Sequence, residues 1–373
     1  MRVSSTNRKK LRVGVLFGGQ SGEHEVSLAS ARGVMSAMDP DRYEVVPIGI
    51  TKSGQWLAGG DVHQKLLDAA AGHPALKNLP AEEIGQKSLA LPIAETGALD
   101  LVFPVLHGPF GEDGTVQGFL ELVGVPYVGA GVTASAAGMD KALCKDLFKA
   151  RGLPIVAHLV FLRRAWQADA EAVLDACEAG LDYPMFVKPA NLGSSVGISK
   201  AKDRAGLRAA LDEAAAYDRK VVVEQGVDAR EIEVSVLGND EPEASVPGEI
   251  LPSREFYSYA AKYLDNSSGL LIPAPLNPEQ MAEVRRLAIE AFKAVDGAGL
   301  ARCDFLLDKA TGRIFVNEVN TMPGFTPISM YPKLWEASGL PYGQLIDRLI
   351  ELALERHADK MQSKTTFDVG LAE

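Results

Sequence analysis

Apolar positions recur along this chain at two different periods, and the way the periods alternate predicts its elements. Short apolar runs predict strands at Leu11–Phe17, Tyr43–Ile50 and Leu99–Leu106, while 25–38 and 115–123 repeat at helical spacing before a strand-like Pro126–Val128. Strands alternating with helices predict a parallel sheet with helices on its faces. Beyond it, Asp140 is the expected cap of a helix to Ala150, with Leu143, Leu147 and Phe148 buried and Gly152 and Pro154 as the stop. Helices are predicted at 170–179 and 205–216, and strands at 183–189, 220–224 and 231–237. Asn277 and Pro278 open a helix in which Met281, Val284, Leu287, Ala288, Ala291, Phe292 and Val295 keep helical spacing to Gly297. A last helix is predicted at 345–357. Two stretches lack periodicity. Residues 53–97 are rich in Ala and Gly and read as an elaboration, with His63 and His73 on the surface. Residues 252–276 form a long irregular segment rich in Tyr, Ser and Pro, and such length within a compact domain points to function or disorder.

The segment Ala301–Gly324 reads as a hairpin around Ala310-Thr311-Gly312, a three-residue loop whose final Gly suits a left-handed backbone. That loop pairs Lys309 with Arg313, hence Asp304 with Glu318 and Arg302 with Asn320. Period-two alternation then puts these four on one face and Phe305, Leu307 and Val319 on the other. Opposed carboxylates repel by about 4 kcal/mol at ~4 Å and a surface-like dielectric, so a cation is expected between them. Asn320 adds a neutral oxygen, and an all-oxygen set suits Mg²⁺. A solvated strand face whose charges never meet is the other outcome.

Composition narrows the field. At 373 residues the chain exceeds one ordinary core, and 47% apolar with 23% charged residues is the balance of a folded globular protein. A net charge of −11 argues against a general nucleic-acid surface, so any polyanion must be held by local lysines, helix N-termini or metal. Cys144, Cys177 and Cys303 form no CxxC pair and read as reduced, mostly buried thiols. The basic start RKKLR precedes an apolar run too brief for a signal-peptide core, and no run reaches transmembrane length. A cytoplasmic protein is expected.

Three segments carry candidate chemistry. Asn191-Leu192-Gly193-Ser194-Ser195-Val196-Gly197 follows a strand ending in Lys188-Pro189, and its small residues allow close approach of backbone N–H groups to phosphate. A plain Gly/Ser turn is the alternative. It is not a GxxxxGK[ST] loop. Gly18-Gly19-Gln20-Ser21-Gly22 lacks the GxGxxG spacing and no acid ends the second strand, so it reads as a strand-to-helix turn with Glu23, His24 and Glu25 at its mouth. His107 follows an apolar strand, the place where α/β proteins bind ligands, and is a candidate proton carrier or hydrogen-bond donor. Glu112 and Asp113 read as caps of the next helix.

Together these segments resemble one family across nearly the whole chain, the D-alanine–D-alanine ligases of the ATP-grasp superfamily. The motifs are GGQSGEHEVSL (18–28), VLHGPFGEDG (105–114), MDKALCK (139–145), FVKPANLGSSVGIS (186–199), VVVEQGV (221–227), EFYSYAAKYL (255–264) and ARCDFLLD…VNEVNTMPGFTPIS (301–329). The resemblance implies an α/β fold: a Rossmann-like parallel-sheet domain at 1–138, then a two-lobed α+β ATP-grasp part at 139–226 and 227–373. It implies ATP between the lobes, with Lys141, Lys188 and Lys262 toward phosphates, and Ser195 in the loop over them. Glu224, Gln225 and Val227 would line the adenine edge and Glu231 the ribose; Gln225 departs from the Lys frequent at that position. Asp304, Glu318 and Asn320 would hold two Mg²⁺, with Mn²⁺ as the alternative ion.

Glu23 would hold the first D-alanine ammonium, linked through Ser194 to Tyr263, with His107 near its carboxylate. Arg302 and the Gly324 N–H would stabilise the oxyanion, and Ser329 with Lys262 the second carboxylate. Two D-alanines would be joined through a D-alanyl phosphate for peptidoglycan precursors, with 253–276 as a lid. Tyr263, in its Lys-Tyr-Leu context, resembles the dipeptide-forming branch; D-lactate and D-serine ligases are the alternatives. A cytoplasmic homodimer, without nucleic-acid or membrane partners, is implied.

Overall fold

The computed structural model describes residues 9–58, 61–70, 98–251 and 269–366, with side chains except at 68–70. Tyr263, Lys262, His73 and most of the expected lid and elaboration lie outside these residues. The chain opens with strand β1 (Leu11–Gly18), helix α1 (His24–Ala37), strands β2 (Tyr43–Ile50) and β3 (Trp56–Ala58), helix α2 (Val62–Ala70) and strand β4 (Leu101–Val105). Its sheet has the order β3-β2-β1-β4, with β2 and β4 both parallel to β1 and β3 antiparallel at the edge. Pro126–Val128 adds only an isolated parallel bridge, Tyr127 beside Val102. His63 is not a surface residue. Its ring is half-buried, bonds the Leu28 carbonyl at 3.0 Å and meets Phe17 edge-on, because α2 packs back over β2.

Helices α3 (Thr115–Leu122), α4 (Val132–Met139) and α5 (Lys141–Ala150) lead to strand β5 (His158–Leu162), helices α6 (Arg163–Ala168) and α7 (Ala170–Gly180), strands β6 (Met185–Pro189) and β7 (Ser199–Ala201), helix α8 (Arg204–Tyr217) and strand β8 (Lys220–Gln225). The four strands form an antiparallel sheet of order β5-β8-β6-β7. Asp140 caps α5, accepting from the Ala142 and Leu143 amides. Leu143, however, is 45% exposed. The helix instead buries Cys144 and Phe148 in the core of the next sheet, and Ala142 against Ala190 and Val222 of this one. That orientation turns Lys141 and Lys145 inward as well.

Strands β9 (Ala229–Gly238), β10 (Glu243–Ala244), β11 (Gly248–Leu251) and β12 (Gly269–Leu271), helix α9 (Pro278–Ala294), strands β13 (Gly299–Asp308) and β14 (Ile314–Asn320), and helices α10 (Met330–Ala337) and α11 (Tyr342–Lys360) complete the chain. The third sheet runs β12-β11-β9-β13-β14, antiparallel, with β10 beside β9. Asn277 and Gln280 form a capping box at the start of α9, with Pro278 in its first turn. Ala301, Cys303, Phe305 and Leu307 point to the core beneath α9, while Leu345, Ile346 and Leu349 of α11 pack with the first sheet's Val13, Val15 and Phe103. Cys144, Cys177 and Cys303 are buried thiols outside any disulfide. Among the described residues no helix is long and apolar enough to cross a membrane.

The hairpin differs from its expected form in an instructive way. Its loop holds four residues, Lys309–Gly312, because the Asp308 carboxylate accepts the Ala310 and Thr311 amides and its backbone N–H closes on the Arg313 carbonyl. Gly312 takes the left-handed conformation, with φ of 71°. A four-residue loop alone would set Glu318 opposite Cys303. A bulge after Asp304 leaves Asn317 unpaired, with Phe305 opposite Val316, and so returns Asp304 to Glu318 and Arg302 to Asn320. Two one-residue offsets cancel at the acids.

Candidate active site

The order of the first sheet reverses at β1, so a crevice opens beyond the C-terminal ends of β1 and β4. Glu23 stands at the first of these ends and His107 at the second. His107 is 4% exposed, with Nδ1 at 2.9 Å from the Met322 carbonyl and Nε2 at 3.2 Å from the Ser30 hydroxyl. A carbonyl can only accept, so Nδ1 donates, and Nε2 of the neutral ring accepts from Ser30. Burial holds the ring's pKa below its ordinary value despite the nearby Glu23 charge. With both nitrogens engaged, the ring ties the Met322–Gly324 turn to the first sheet, and proton transfer is not its evident task here.

Glu23 accepts a hydrogen bond from the Ser194 hydroxyl, across 171 residues of chain. Gly193 packs close beside it, where a Cβ would stand 2.9 Å from Glu23 Oε2 and would push that carboxylate aside. Ser194 and Ser195 both have left-handed backbones, with φ of 50° and 58°. Such conformations cost about 1–3 kcal/mol each in non-glycine residues and mark functional turns. Glu112 does not cap α3. Gly114 occupies the cap position, Asp113 accepts the Thr115 amide at 3.0 Å, and Glu112 turns inward to accept the Gly108 amide at 3.1 Å. Desolvation, with the Glu23 charge beside it, pushes the Glu112 carboxyl well above its ordinary range.

One wall of the cleft is basic. Lys141 donates to the Leu192 carbonyl at 2.6 Å and lies 3.8 Å from Glu318. Lys188 on β6 and Glu224 on β8 are paired at 2.6 Å, and Lys145 meets the other Glu224 oxygen at 2.9 Å. Lys188 also reaches the bulge residue Asn317 at a long 3.4 Å. Gln225 turns outward and clamps Asp182, accepting its amide at 2.8 Å and donating to its carbonyl at 2.9 Å. Val227 lies in the link between β8 and β9, and Glu231 stands on β9 opposite Leu306.

The facing wall is acidic. Arg302 grips Asp304 with two bonds of 2.7 Å and lies 3.1 Å from Glu233, while Asn320 donates to Asp304 at 3.0 Å. The cation among the acids is thus Arg302 itself, in contact with Asp304, not apart from the expected metal ligands. Asp304, Glu318 and Asn320 nevertheless share a strand face and present only oxygen and amide donors. Glu233 and Glu318 leave that face with more negative charge than Arg302 cancels, so the set fits a hard divalent cation.

A cavity of about 650 Å³ joins the walls, and Glu23, His107, Lys141, Ser194 and Ser195 line one side of it. Arg302, Glu318, Asn320, Gly324 and Ser329 line the other. Ser329 is held by the Thr326 amide at 3.1 Å and the Thr326 hydroxyl at 2.7 Å. Lys188, Glu224 and Asp304 are not among the lining residues. Sequence reasoning missed the contributions of Glu112, Lys145, Glu233 and Asn317. Only Lys145 left a trace, its four-residue spacing from Lys141 on a helix.

A parallel sheet followed by two antiparallel sheets that clasp a cleft is the ATP-grasp arrangement. Family models for the D-ala D-ala ligase N-terminus and C-terminus match residues 12–130 and 147–351. The D-alanine–D-alanine ligase of Heliobacterium modesticaldum is 52% identical over 365 residues, covering 95% of this chain and 98% of that protein. Among solved structures, the D-alanine–D-alanine ligase of Coxiella burnetii is 37% identical with a TM-score of 0.79, covering 95% of this chain and 96% of that one. The VanG D-Ala:D-Ser ligase of Enterococcus faecalis is 35% identical with a TM-score of 0.80, covering 92% and 100%. The chain belongs to the D-alanine–D-alanine ligase family.

Proposed function

We propose that this protein is an ATP-dependent ligase that joins two D-alanine molecules into D-alanyl-D-alanine for peptidoglycan precursors. The observation that carries the reading is the single cavity in which Glu23 and Ser194, Lys141, Arg302 and Gly324 converge from all three sheets. In the first step a carboxylate oxygen of D-alanine attacks the γ-phosphorus of ATP, releasing ADP and leaving an acyl phosphate. In the second, the amine of another D-alanine attacks that carbonyl, loses a proton, and inorganic phosphate departs with the bond that held it. The division into units at 1–138, 139–226 and 227–373 belongs to the same proposal.

Each residue has a place in that scheme. Glu23, already bonded to Ser194, holds the first ammonium, a link that Tyr263, outside the described residues, would extend. His107 fixes the Met322–Gly324 turn near the first carboxylate. Lys141, Lys188 and the Ser195 loop receive phosphates, as charge concentrated on the transferring group requires. The Glu224–Val227 strand end takes the adenine edge and Glu231 the ribose. Asp304, Glu318 and Asn320 would hold Mg²⁺, two ions in this scheme, which supplies charge neutralisation on the phosphoryl group when bound. Arg302 and the Gly324 N–H are preorganised donors for the tetrahedral oxyanion. Ser329 with Lys262 holds the second carboxylate. A cytoplasmic homodimer completes the proposal, and light scattering on the purified protein tests its oligomeric part.

The decisive experiment is a substrate panel of D-alanine alone and with D-lactate or D-serine, scored by product mass. Dipeptide with magnesium-dependent ADP release is expected. Dominant ester or D-alanyl-D-serine formation near neutral pH would move the chain to another branch, the second being the activity named for the VanG structure. Absence of D-alanine-dependent ADP release would defeat the ligase reading.

A further inference from the structure

Lys145 has no part in the scheme above, yet it is among the most deeply buried charges in the described protein, at 1% exposure. It lies one helical turn beyond Lys141 on α5, so both ammonium groups face the same way. Lys141 lines the cavity, whereas Lys145 does not. Its ammonium ends 2.9 Å from Glu224 Oε1, and Lys188 holds Glu224 Oε2 at 2.6 Å. Glu224 stands opposite Phe186 and Lys188 opposite Val222, so acid and lysine are diagonal neighbours on one sheet face. Three elements thus converge on one carboxylate.

We propose that Lys145 is a positioning residue for nucleotide binding, acting through Glu224 on Lys188. The assignment rests on the nucleotide reading given above. Two ammonium groups around one carboxylate leave a net single positive charge. If Glu224 faced Lys188 alone, the pair would be neutral and the carboxylate would hold Lys188 back from a phosphate. With Lys145 sharing the carboxylate, Glu224 neutralises less of the Lys188 charge, and more of it remains for a phosphate even with Glu318 and Glu231 also acting on Lys188. The electrostatics agree: desolvation opposes ionisation of Glu224, yet the Lys145 charge and then that of Lys188 bring its pKa down to about 2. Lys188 is likewise shifted up, since Glu224 and Glu318 outweigh its own desolvation.

The test is calorimetric binding of ATP with magnesium to the full-length protein in a double-mutant cycle. Lys145→Met should weaken ATP about tenfold, the loss of one charge-assisted contact, and leave the KM for D-alanine within about twofold. Lys145→Arg, which retains the charge, should bind ATP close to wild type. In a Lys188→Met background, Lys145→Met should add almost nothing. An equal loss in both backgrounds, or no loss in either, would overturn the proposal. So would a folded Lys145→Arg that binds as poorly as Lys145→Met. Lys145→Gln is the second uncharged variant; failure of both it and Lys145→Met to fold, with Lys145→Arg intact, would make the role purely structural and also overturn it. Wild-type protein that does not bind ATP at all would instead refute the nucleotide site.

Discussion

The two walls of the cleft contain the same kind of interaction in opposite balance. Behind the basic wall, outside the cavity lining, Lys145, Glu224 and Lys188 carry two positive charges and one negative, with side-chain exposures of 1%, 3% and 12%. On the acidic wall Arg302 faces Asp304, Glu233 and Glu318, and exposure rises to 25% at Glu318. The buried trio carries one more positive charge than negative, and Lys145 Nζ and Glu224 Oε1 face each other at ion-pair distance without an aligned hydrogen bond. The acidic group has three carboxylates against Arg302 and, 3.8 Å from Glu318, Lys141, and so stays net negative. An anion is therefore stabilised against the first wall and a cation against the second, which is what a metal-bound polyphosphate needs from a protein whose net charge is −11.

If that contrast is real, substitutions on the two walls should fail differently. Asp304→Asn or Glu318→Gln should lower turnover on the order of a thousandfold, as loss of a charge-stabilising group does, with the fold intact by circular dichroism. Turnover near wild type in either variant, read as ADP release, would break the acidic half of the comparison. Arg302→Ala should lower kcat by about a hundredfold and move ATP affinity far less. A selective loss of ATP binding would contradict its oxyanion role. Lys188→Met should do the reverse, weakening ATP about tenfold to a hundredfold while D-alanine KM holds steady.

The smallest effect concerns pH. Buried His107 has a folded pKa below its ordinary value of 6.5, so the unfolded chain takes up its proton first. Its contribution is fully present above pH 6.5 and is lost as pH falls below that value, by at most about 1.4 kcal/mol per pH unit. Thermal melts of wild type and His107→Asn between pH 7.5 and 5 should show a shallower decline in the variant; parallel curves would remove His107 from the account.

Much of this was legible without coordinates where the chemistry is local. Gly312 had to be left-handed and Asp140 had to cap α5, because each follows from spacing over a few residues, whereas the β13–β14 acids face each other only because a bulge offsets the longer loop. The loop length was one residue short because the Asp308 carboxylate, not the loop sequence alone, closes the turn. Apolar spacing puts Leu143 inside because it does not reveal that α5 has cores on two sides. Glu112 reads as a cap in the sequence because nothing local shows that Glu23 lies beside it.

The order of motifs along the chain therefore determined the family, the three sheets and the identity of most groups in the cleft. Tertiary structure alone decided which charges meet. The bulge at Asn317 sets the register, Arg302 takes the place beside Asp304, and Lys145 finds Glu224 across 78 intervening positions of sequence. Periodicity is a property of neighbours along the backbone and can be read from them. Ion pairing in a low-dielectric interior depends on distances between strands far apart in sequence, and those distances exist only once the sheets have packed.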